Sequence, residues 1–404
     1  MTRDFAGVLA SEMERELRED ILAFWPRYID PANGGFYGQV ENDGRFDPRA
    51  DKGLVMEARF LWTYAAAARL LHDPRLLVPA GAAYRFIVGH LLDAEHRGFH
   101  WACDSRGTPR AGNKVIYGQA FAMYALAEYA RAGGPRESMD LALETFRLVQ
   151  GAARDLRHGG YFEAAAADWS APVPSALGAD DLACPKSMNT NLHMLEALSA
   201  LHACSANGET APALGELIDI HLDRILTSPA HLGLYFDSDW TRMDTAVSYG
   251  HDIEASWLLT EAAARLCDGP RAARVQAASA RIAAESAQVL DAGGGSLPNE
   301  LKEGRLDTDR IWWVQAEAIV GMVNAYEITR DHSYLRRAWG VWEYVKAHII
   351  DREHGEWLWG VRHADGSPMT DRYKGGMWKA SYHDARACME VMKRLGSSRD
   401  RAGR

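Results

Sequence analysis

The chain has 404 residues, of which 47% are hydrophobic and 25% are charged, so it contains enough apolar material for a large globular core. Its formal net charge of −10 argues against the basic surface that is typical of nucleic-acid-binding proteins. No apolar run approaches the roughly 20 residues that span a bilayer, and the acidic N-terminal segment lacks the pattern of a signal peptide. The five cysteines form no CxxC pair, which is typical of a reducing compartment. We therefore expect a cytoplasmic protein without a nucleic-acid or membrane partner.

A glycine-containing loop recurs six times along the chain, at intervals of 63, 62, 73, 62 and 60 residues. Its aligned glycines are Gly35, Gly98, Gly160, Gly233, Gly295 and Gly355. A period of this length is typical of a repeated supersecondary unit. The longest interval contains a Pro/Ala/Asp-rich stretch, 170–185, which we interpret as an inserted loop.

Each repeat contains one helix before the loop and one after it. The first helix alternates charged and apolar residues at helical spacing, which predicts an amphipathic surface helix. These segments are 11–29, 79–92, 136–156, 212–226, 273–290 and 333–350. The second helix is apolar on nearly all faces, as in 61–66 and 316–322, which predicts a buried helix. The short segments after the glycines are expected to form small hairpins, and no strand–helix alternation indicates a parallel sheet.

Six outer and six inner helices predict an all-α (α/α)6 barrel. We expect a single domain over residues 1–396 and a disordered polar tail over 397–404. An open solenoid without a catalytic site is the alternative for six such units. Closure is favoured because polar residues cluster at the starts of the apolar helices, which meet at one mouth of a closed barrel. Helix N-termini also direct positive potential into that mouth, which suits a developing oxyanion.

Three histidines occupy equivalent positions at the starts of inner helices, namely His193, His251 and His383. Glu254 follows His251 by three residues and shares its helix face, where a carboxylate can fix the imidazole tautomer and raise its basicity. A lone histidine on an apolar face is usually a hydrogen-bonded core residue. Three at equivalent positions of three repeats predict a joint catalytic role.

A metal site and a glycosidase centre are the alternatives for these residues. Three histidines and a glutamate from different helices could hold a metal, but the sequence has no HExxH motif, and we expect neither a metal nor a cofactor. Glu254, Glu300 and Glu317 are candidates for the carboxylate pair of a glycosidase, although none stands as an obvious acid–base pair. A non-catalytic sugar-binding barrel is a further alternative.

The tryptophans divide into two groups by their position. Those that fall within helices are predicted to lie in the core: Trp62, Trp257, Trp339 and Trp342. Four others lie in loops or at inner-helix starts, where we expect them to stack on a sugar ring: Trp240, Trp312, Trp313 and Trp378.

Five segments resemble the N-acylglucosamine 2-epimerase superfamily, and most closely its cellobiose 2-epimerase branch. They are residues 59–63 (RFLWT), 186–193 (KSMNTNLH), 249–259 (YGHDIEASWLL), 312–317 (WWVQAE) and 378–383 (WKASYH). They run from the first repeat to the last, so the resemblance covers nearly the whole chain. The branch usually reads Trp-Lys-Cys-Pro-Tyr-His-Asn where this chain has 378–384, and a histidine where Asn191 stands. These two departures leave the natural substrate open.

The resemblance implies an (α/α)6 barrel in which His383 and His251 are the acid and the base, and His193 assists ring opening. It also implies which residues surround the reducing-end sugar: Arg59, Tyr117, Asn189, Glu254, Trp313, Glu317 and Trp378. Trp240 is a weaker assignment because its loop aligns less securely. In that family neither a metal nor a nucleotide takes part in catalysis.

These residues suit inversion at C2 of an aldose. Once the ring is open, the C1 aldehyde acidifies the C2 hydrogen, a histidine can remove it, and Arg59 can stabilise the enediolate. A second histidine then returns a proton to the opposite face. We expect the substrate to be the reducing-end glucose of a cellobiose-type disaccharide, or free D-glucose or D-mannose, and the protein to be a monomer or a homodimer. Isomerisation between mannose and fructose is the alternative.

Overall fold

The computed structural model describes residues 4–178, 181–204, 208–292 and 294–401, the last five by their backbone only. Helices of at least ten residues alternate along the described chain between an outer and an inner ring. The outer helices are α1 (Phe5–Glu16), α3 (Leu77–Phe86), α5 (Arg136–Ala152), α7 (Thr210–Ile220), α9 (Gly269–Ala292) and α11 (His332–His348). The inner helices are α2 (Leu54–Leu71), α4 (Ile116–Arg131), α6 (Met188–Cys204), α8 (Tyr249–Leu266), α10 (Trp312–Thr329) and α12 (His383–Arg401). The predicted (α/α)6 barrel is confirmed.

The two rings differ in burial as their residue patterns predict. In α2 every side chain from Leu54 to Ala68 is buried, whereas α5 buries only a stripe that includes Leu141, Phe146 and Val149. A helix that is apolar all round belongs in the interior, and an amphipathic one belongs at the surface. Three outer helices continue into one π-helical turn each, at Leu17–Ile21, Ile87–Leu91 and His221–Ile225. Shorter helical segments are Leu22–Phe24, Trp25–Tyr28 and Pro74–Leu76.

Very short antiparallel strands join neighbouring repeats around the mouth of the barrel. They are β1 (Lys52–Gly53), β2 (Ala102–Cys103), β3 (Lys114–Val115), β4 (Ala164–Ala165), β5 (Pro172–Val173), β6 (Lys186–Ser187), β7 (Tyr235–Phe236), β8 (Val247–Ser248), β9 (Glu300–Lys302), β10 (Arg305–Asp307), β11 (Arg310–Ile311) and β12 (Gly360–Val361). The strand before an inner helix pairs with the segment after the next glycine loop, as in Lys52 opposite Cys103. The expected small hairpins after the glycine loops are also present. β4 pairs with β5 and β9 with β10, and single bridges join Val40 to Phe46, Cys103 to Pro109, Phe236 to Arg242 and Val361 to Pro368.

The ring closes between the last repeat and the first. The Val40 amide donates to the Gly375 carbonyl over 2.9 Å, and the Lys374 amide donates to the Val40 carbonyl over 2.8 Å. This bridge repeats the pattern of the strand pairs, and α12 packs against both α1 and α2. The closed barrel is confirmed and the open solenoid is wrong.

Polar side chains in the first turn of the inner helices anchor the glycine loops in five repeats. The acceptors are Glu57, Gln119, Asn191, Asp252 and Gln315, which bind the amides of Phe36, Phe99, Tyr161, Leu232 and Leu297 over 2.7, 3.0, 2.9, 2.8 and 3.0 Å. The anchored amides correct the predicted alignment of the glycines in two of the loops. Gly35 precedes its anchored amide by one residue, whereas Gly233 follows Leu232 and Gly295 lies two residues before Leu297.

Buried lysine–aspartate pairs fix the start of the inner helix in four repeats. They are Lys52–Asp30, Lys114–Asp93, Lys186–Asp155 and Lys374–Asp351, at 2.8, 2.5, 2.7 and 2.5 Å. Each lysine precedes an inner helix and each aspartate opens a glycine loop, so the pair ties the loop to the mouth. Removing one partner of such a pair leaves an uncompensated buried charge, which is strongly destabilising.

No helix in the described ranges is both long enough and apolar enough to cross a membrane. Helix α12 runs to Arg401, so the predicted start of a disordered tail at residue 397 falls inside this helix. Residues 402–404 lie outside the described residues.

Candidate active site

The N-terminal ends of the inner helices surround a chamber of about 250 Å³. Its lining consists of Arg59, Tyr117, Leu177, Gly178, Asp181, Asn189, His193, His251, Glu254, Trp312, Trp313, Trp359, Trp378 and His383. All three predicted catalytic histidines are among them. So is every predicted sugar-binding residue except Trp240 and Glu317.

Two histidines far apart in the chain meet at the indole of Trp313. The ring centroid of Trp313 lies 4.8 Å from that of His251 and 5.7 Å from that of His383. His193, on α6, packs against α4, with its ring centroid 5.0 Å from that of Tyr117. The barrel therefore brings imidazoles from three different repeats to one cavity.

The three imidazoles are held through Nδ1, but by different partners. Nδ1 of His193 bonds Glu196 over 2.9 Å, and Nδ1 of His383 bonds Glu317 over 2.7 Å. Nδ1 of His251 bonds the hydroxyl of Ser248 over 2.7 Å. A carboxylate partner favours the proton on Nδ1, which leaves the Nε2 lone pair available as a base.

Burial keeps the three imidazoles neutral. Desolvation lowers the pKa of His193 below its usual 6.5 and lowers that of His251 to about 3. The pKa of His383 falls well below its usual range, through burial first and then through the charges of Arg59 and Arg386. A neutral imidazole is the form that can accept a proton from carbon.

Behind the histidines, one buried guanidinium is surrounded by three carboxylates. Arg386 donates to Glu317 over 2.7 Å and forms very short hydrogen bonds with Glu196 and Glu254. Burial raises the pKa of Glu254 to about 8, and the charges of Glu317 and Glu196 add to this shift. Burial also raises the pKa of Glu317, against the opposing effect of Arg386. Burial also acts to raise the pKa of Glu196, but Arg386 and His193 outweigh it and bring it to about 2. With one cation among three acids, Glu254 is the group best placed to hold a proton.

Among the described residues, this cluster is also the candidate for a metal site. Donor atoms of Glu254, Glu317 and His383 lie within 4.8 Å of one another. However, the guanidinium of Arg386 already hydrogen-bonds both carboxylates and compensates their charge. The donor set therefore fits an internal ion network better than a metal site.

Arg59 places a second cation at the chamber wall. Its guanidinium bonds the Tyr117 hydroxyl over 3.1 Å and the Trp378 carbonyl at very short range, and its carbon lies 4.7 Å from the Phe121 ring centroid. A fixed guanidinium in a site with little water stabilises developing negative charge on a substrate oxygen.

Comparison with known proteins agrees with this geometry. Residues 35–387 match the family described as N-acylglucosamine 2-epimerase (GlcNAc 2-epimerase). The chain belongs to the N-acylglucosamine 2-epimerase family. A cellobiose 2-epimerase of Bacteroides fragilis is 39% identical over 388 residues, which cover 95% of this chain and 99% of that relative. The structure of the cellobiose 2-epimerase from Spirochaeta thermophila matches with a TM-score of 0.91 and 46% identity, covering 98% of this chain and 99% of the other. A D-mannose isomerase structure, at 23% identity and a TM-score of 0.82, covers 95% and 97% of the two chains and shares the fold.

Two residues predicted to bind sugar in this family member lie elsewhere. Trp240 is buried in a loop, where its Nε1 donates to the His158 carbonyl over 3.0 Å and its ring packs against Gly160. It clamps the third glycine loop, so the predicted stacking role is wrong. Glu317 lies behind His383 and accepts from Trp257 Nε1 over 2.9 Å with its second oxygen. It positions the histidine and does not line the chamber.

The two departures from the usual family pattern also lie outside the chamber. Asn191 donates to the carbonyls of Tyr161 and Ser187 over 3.1 and 2.8 Å, as part of its loop anchor. In the last motif, Ala380, Ser381 and Asp384 are all buried, and none lines the chamber. These departures therefore do not alter the chamber wall.

Sequence reasoning missed four residues in or beside the site. They are Asp181, Glu196, Ser248 and Trp359. Arg386 belongs to the polar residues at the inner-helix starts, but sequence reasoning assigned it no role. Glu196 follows His193 by three residues, so helical spacing could have identified it. Asp181 belongs to the inserted loop, which has no counterpart in the other repeats and therefore gave no signal.

Proposed function

We propose that the protein is a cellobiose 2-epimerase that inverts C2 of the reducing-end glucose through a cis-enediolate. The observation on which this rests is the pair of neutral imidazoles, His251 and His383, that both contact Trp313 and both line one chamber. Epimerisation needs a base on one face of C2 and an acid on the other. The full-length similarity to proteins named cellobiose 2-epimerase supports the same substrate.

The reaction begins with ring opening, in which His193 helps to deliver a proton to the ring oxygen. His383 then removes the C2 hydrogen with Nε2, because Glu317 holds the proton on Nδ1. Arg59 faces the enediolate oxygens, and a protonated Glu254 donates a hydrogen bond to a sugar hydroxyl. His251 returns a proton to the other face of C2. Every step uses side chains of the chain itself.

The second sugar of the bound disaccharide extends out of the chamber, past the tryptophans at the rim of the chamber. The ring centroids of Trp312 and Trp359 are 4.6 Å apart, and those of Trp101 and Trp378 are 5.6 Å apart. Such faces suit the apolar sides of sugar rings. Asp181, on the inserted loop, adds an acceptor for sugar hydroxyls beside them.

A glycoside hydrolase is poorly supported by the carboxylates. The two carboxylates of such an enzyme must flank the glycosidic bond. Here Glu254 and Glu317 both bond the same guanidinium, and Glu317 does not line the chamber. Glu300 lies on β9 outside this chamber.

Incubation with cellobiose in heavy water tests the proposal. We expect glucosyl-mannose as the product, with deuterium at C2 of the reducing-end sugar. Product analysis by chromatography and NMR, with lactose, glucose, mannose and N-acetylglucosamine as parallel substrates, defines the preference. Release of glucose from cellobiose would instead indicate a hydrolase. Fructose as the main product from mannose would indicate an isomerase.

The pH dependence of kcat/KM is expected to have an unusually low acid limb. A histidine base is active when neutral, so activity is lost only as the pH falls through the pKa of His383, which burial and the charges of Arg59 and Arg386 hold well below its usual range. Activity should therefore remain level below the usual imidazole pKa of 6.5. On the alkaline side, activity falls as Glu254, whose pKa is raised, loses its proton. Initial rates with cellobiose across this range provide the measurement, and an acid limb at the ordinary imidazole value contradicts the assignment.

We also propose that the enzyme works in the cytoplasm. All five cysteines carry free thiols. Free thiols in a protein of this size fit a reducing compartment.

A further inference from the structure

His251 differs from the other two histidines in what holds its Nδ1. Its partner is the hydroxyl of Ser248, whereas His193 and His383 each face a carboxylate. A hydroxyl can donate or accept a hydrogen bond, while a carboxylate can only accept. Of the three imidazoles, His251 can therefore exchange its proton between both ring nitrogens without leaving its partner unsatisfied.

Ser248 and His251 also line a second chamber of about 140 Å³ beside the first. The two chambers share Asn189 and Trp313, among other residues. The lining of the second chamber includes Leu182, which is 41% exposed, so this space reaches the protein surface. The inserted loop and Glu300 of β9 both contribute to its lining.

The walls of this side chamber are suited to hold water. Oε2 of Glu163 and Oδ1 of Asn189 are buried, and neither has a hydrogen-bond partner in the described part of the chain. Buried polar atoms of this kind are normally satisfied, often by ordered water. A water needs only about 10–15 Å³ of such space, so the chamber has room for several.

We propose that Ser248 links His251 to water in the side chamber and passes on the proton that His251 delivers to C2. Ser248 is thus a positioning and relay residue, since it acts through the imidazole. The inference rests on the proposed epimerase function. It gives His251 a route to solvent that stays open while a sugar fills the main chamber.

The transfer balances as follows in the forward direction. His251 starts neutral, with its proton on Nε2 and with Nδ1 accepting from Ser248. The Nε2–H bond breaks as the C2–H bond forms, Nδ1 takes the Ser248 proton, and the serine oxygen takes a proton from a chamber water. After product release, the hydroxide left in the side chamber is neutralised, through bulk water, by the proton that His383 holds. The resulting tautomer of His251 has a free Nε2 and is the base that starts the reverse reaction.

The other histidines have no comparable connection to the side chamber. Glu196 and Glu317, which hold them, are buried against Arg386 and do not line it. Proton exchange with solvent therefore follows a different route on each face of C2. His383 exchanges its proton through the main mouth once the product has left, and His251 exchanges through Ser248 during the reaction.

Ser248→Ala tests the relay, with Ser248→Thr and Ser256→Ala as matched variants. Ser256 is a buried serine on the same helix as His251, but its hydroxyl donates to the Ile253 carbonyl over 2.7 Å. We expect S248A to lower kcat for cellobiose about 100-fold, at the lower end of the effect of acid–base groups, with little change in KM. S248T retains a hydroxyl and should recover most of the rate, and S256A should behave as the wild type.

The decisive measurement is the rate in mixtures of light and heavy water. Because more than one proton moves in the relay, the rate should depend on the deuterium fraction along a curve for the wild type and S248T, and along a straight line for S248A. A wild-type rate and an unchanged curve in S248A overturn the relay but leave the epimerase assignment intact. A wild-type protein that neither epimerises cellobiose nor exchanges the C2 hydrogen overturns both.

Discussion

Replacing His383 with asparagine is expected to lower kcat for cellobiose epimerisation by at least about 1,000-fold, because it removes a general base. The amide of asparagine can still donate to Glu317, which currently bonds His383 Nδ1 over 2.7 Å. The buried carboxylate therefore keeps a partner, and the barrel should remain folded. What disappears is the Nε2 lone pair that takes the C2 hydrogen.

The measurement combines turnover of cellobiose, deuterium uptake at C2 and the thermal midpoint. His221→Asn is the matched control, since His221 is also fully buried but bonds the Leu217 carbonyl in a π-helical turn away from the chamber. We expect that variant to lose some stability and keep its activity. Near-normal turnover by H383N would remove His383 from the mechanism. Loss of turnover with retained C2 exchange would reassign it to the second proton transfer.

The barrel and most of the chamber were predictable because both follow from one-dimensional patterns. An inner helix must be apolar on all faces, and this distinguishes Leu54–Leu71 from the amphipathic Arg136–Ala152 without any structural knowledge. A period near 62 residues then places equivalent helix starts around one mouth. Polar residues at those starts, such as His251 and Arg59, are therefore expected to share a cavity.

The role of each polar residue was less predictable, because a polar side chain at a helix start can either line the chamber or anchor a glycine loop. In the fourth repeat Asp252 turns outward to anchor a loop amide, whereas its neighbours His251 and Glu254 line the chamber. The local sequence does not distinguish these directions. Trp240 was misjudged for a similar reason: its loop position suggested a sugar contact, but the loop folds back onto Gly160. The contacts that decide such cases join different repeats.

The ion network behind the site gives the second large effect. We expect Arg386→Leu to destabilise the fold by about 3–5 kcal/mol, the range for removing one partner of a buried charge pair. Glu196, Glu254 and Glu317, all buried, would then face one another without a compensating cation. Activity should fall as well, because Glu196 and Glu317 would no longer hold His193 and His383 in place.

Chemical denaturation at neutral pH provides the test, with Arg394→Leu as the control. Arg394 lies two turns further along α12 and also bonds two glutamates, Glu327 and Glu390, but its side chain is 13% exposed. Solvent compensates the charges left by that change, so the loss should be smaller. Adding Glu196→Gln to R386L should restore part of the stability, since Glu196, whose pKa is about 2, is charged at neutral pH and the substitution removes that charge. An R386L protein as stable as the wild type would show that the three acids are already protonated. The ion network would then not be what positions the histidines.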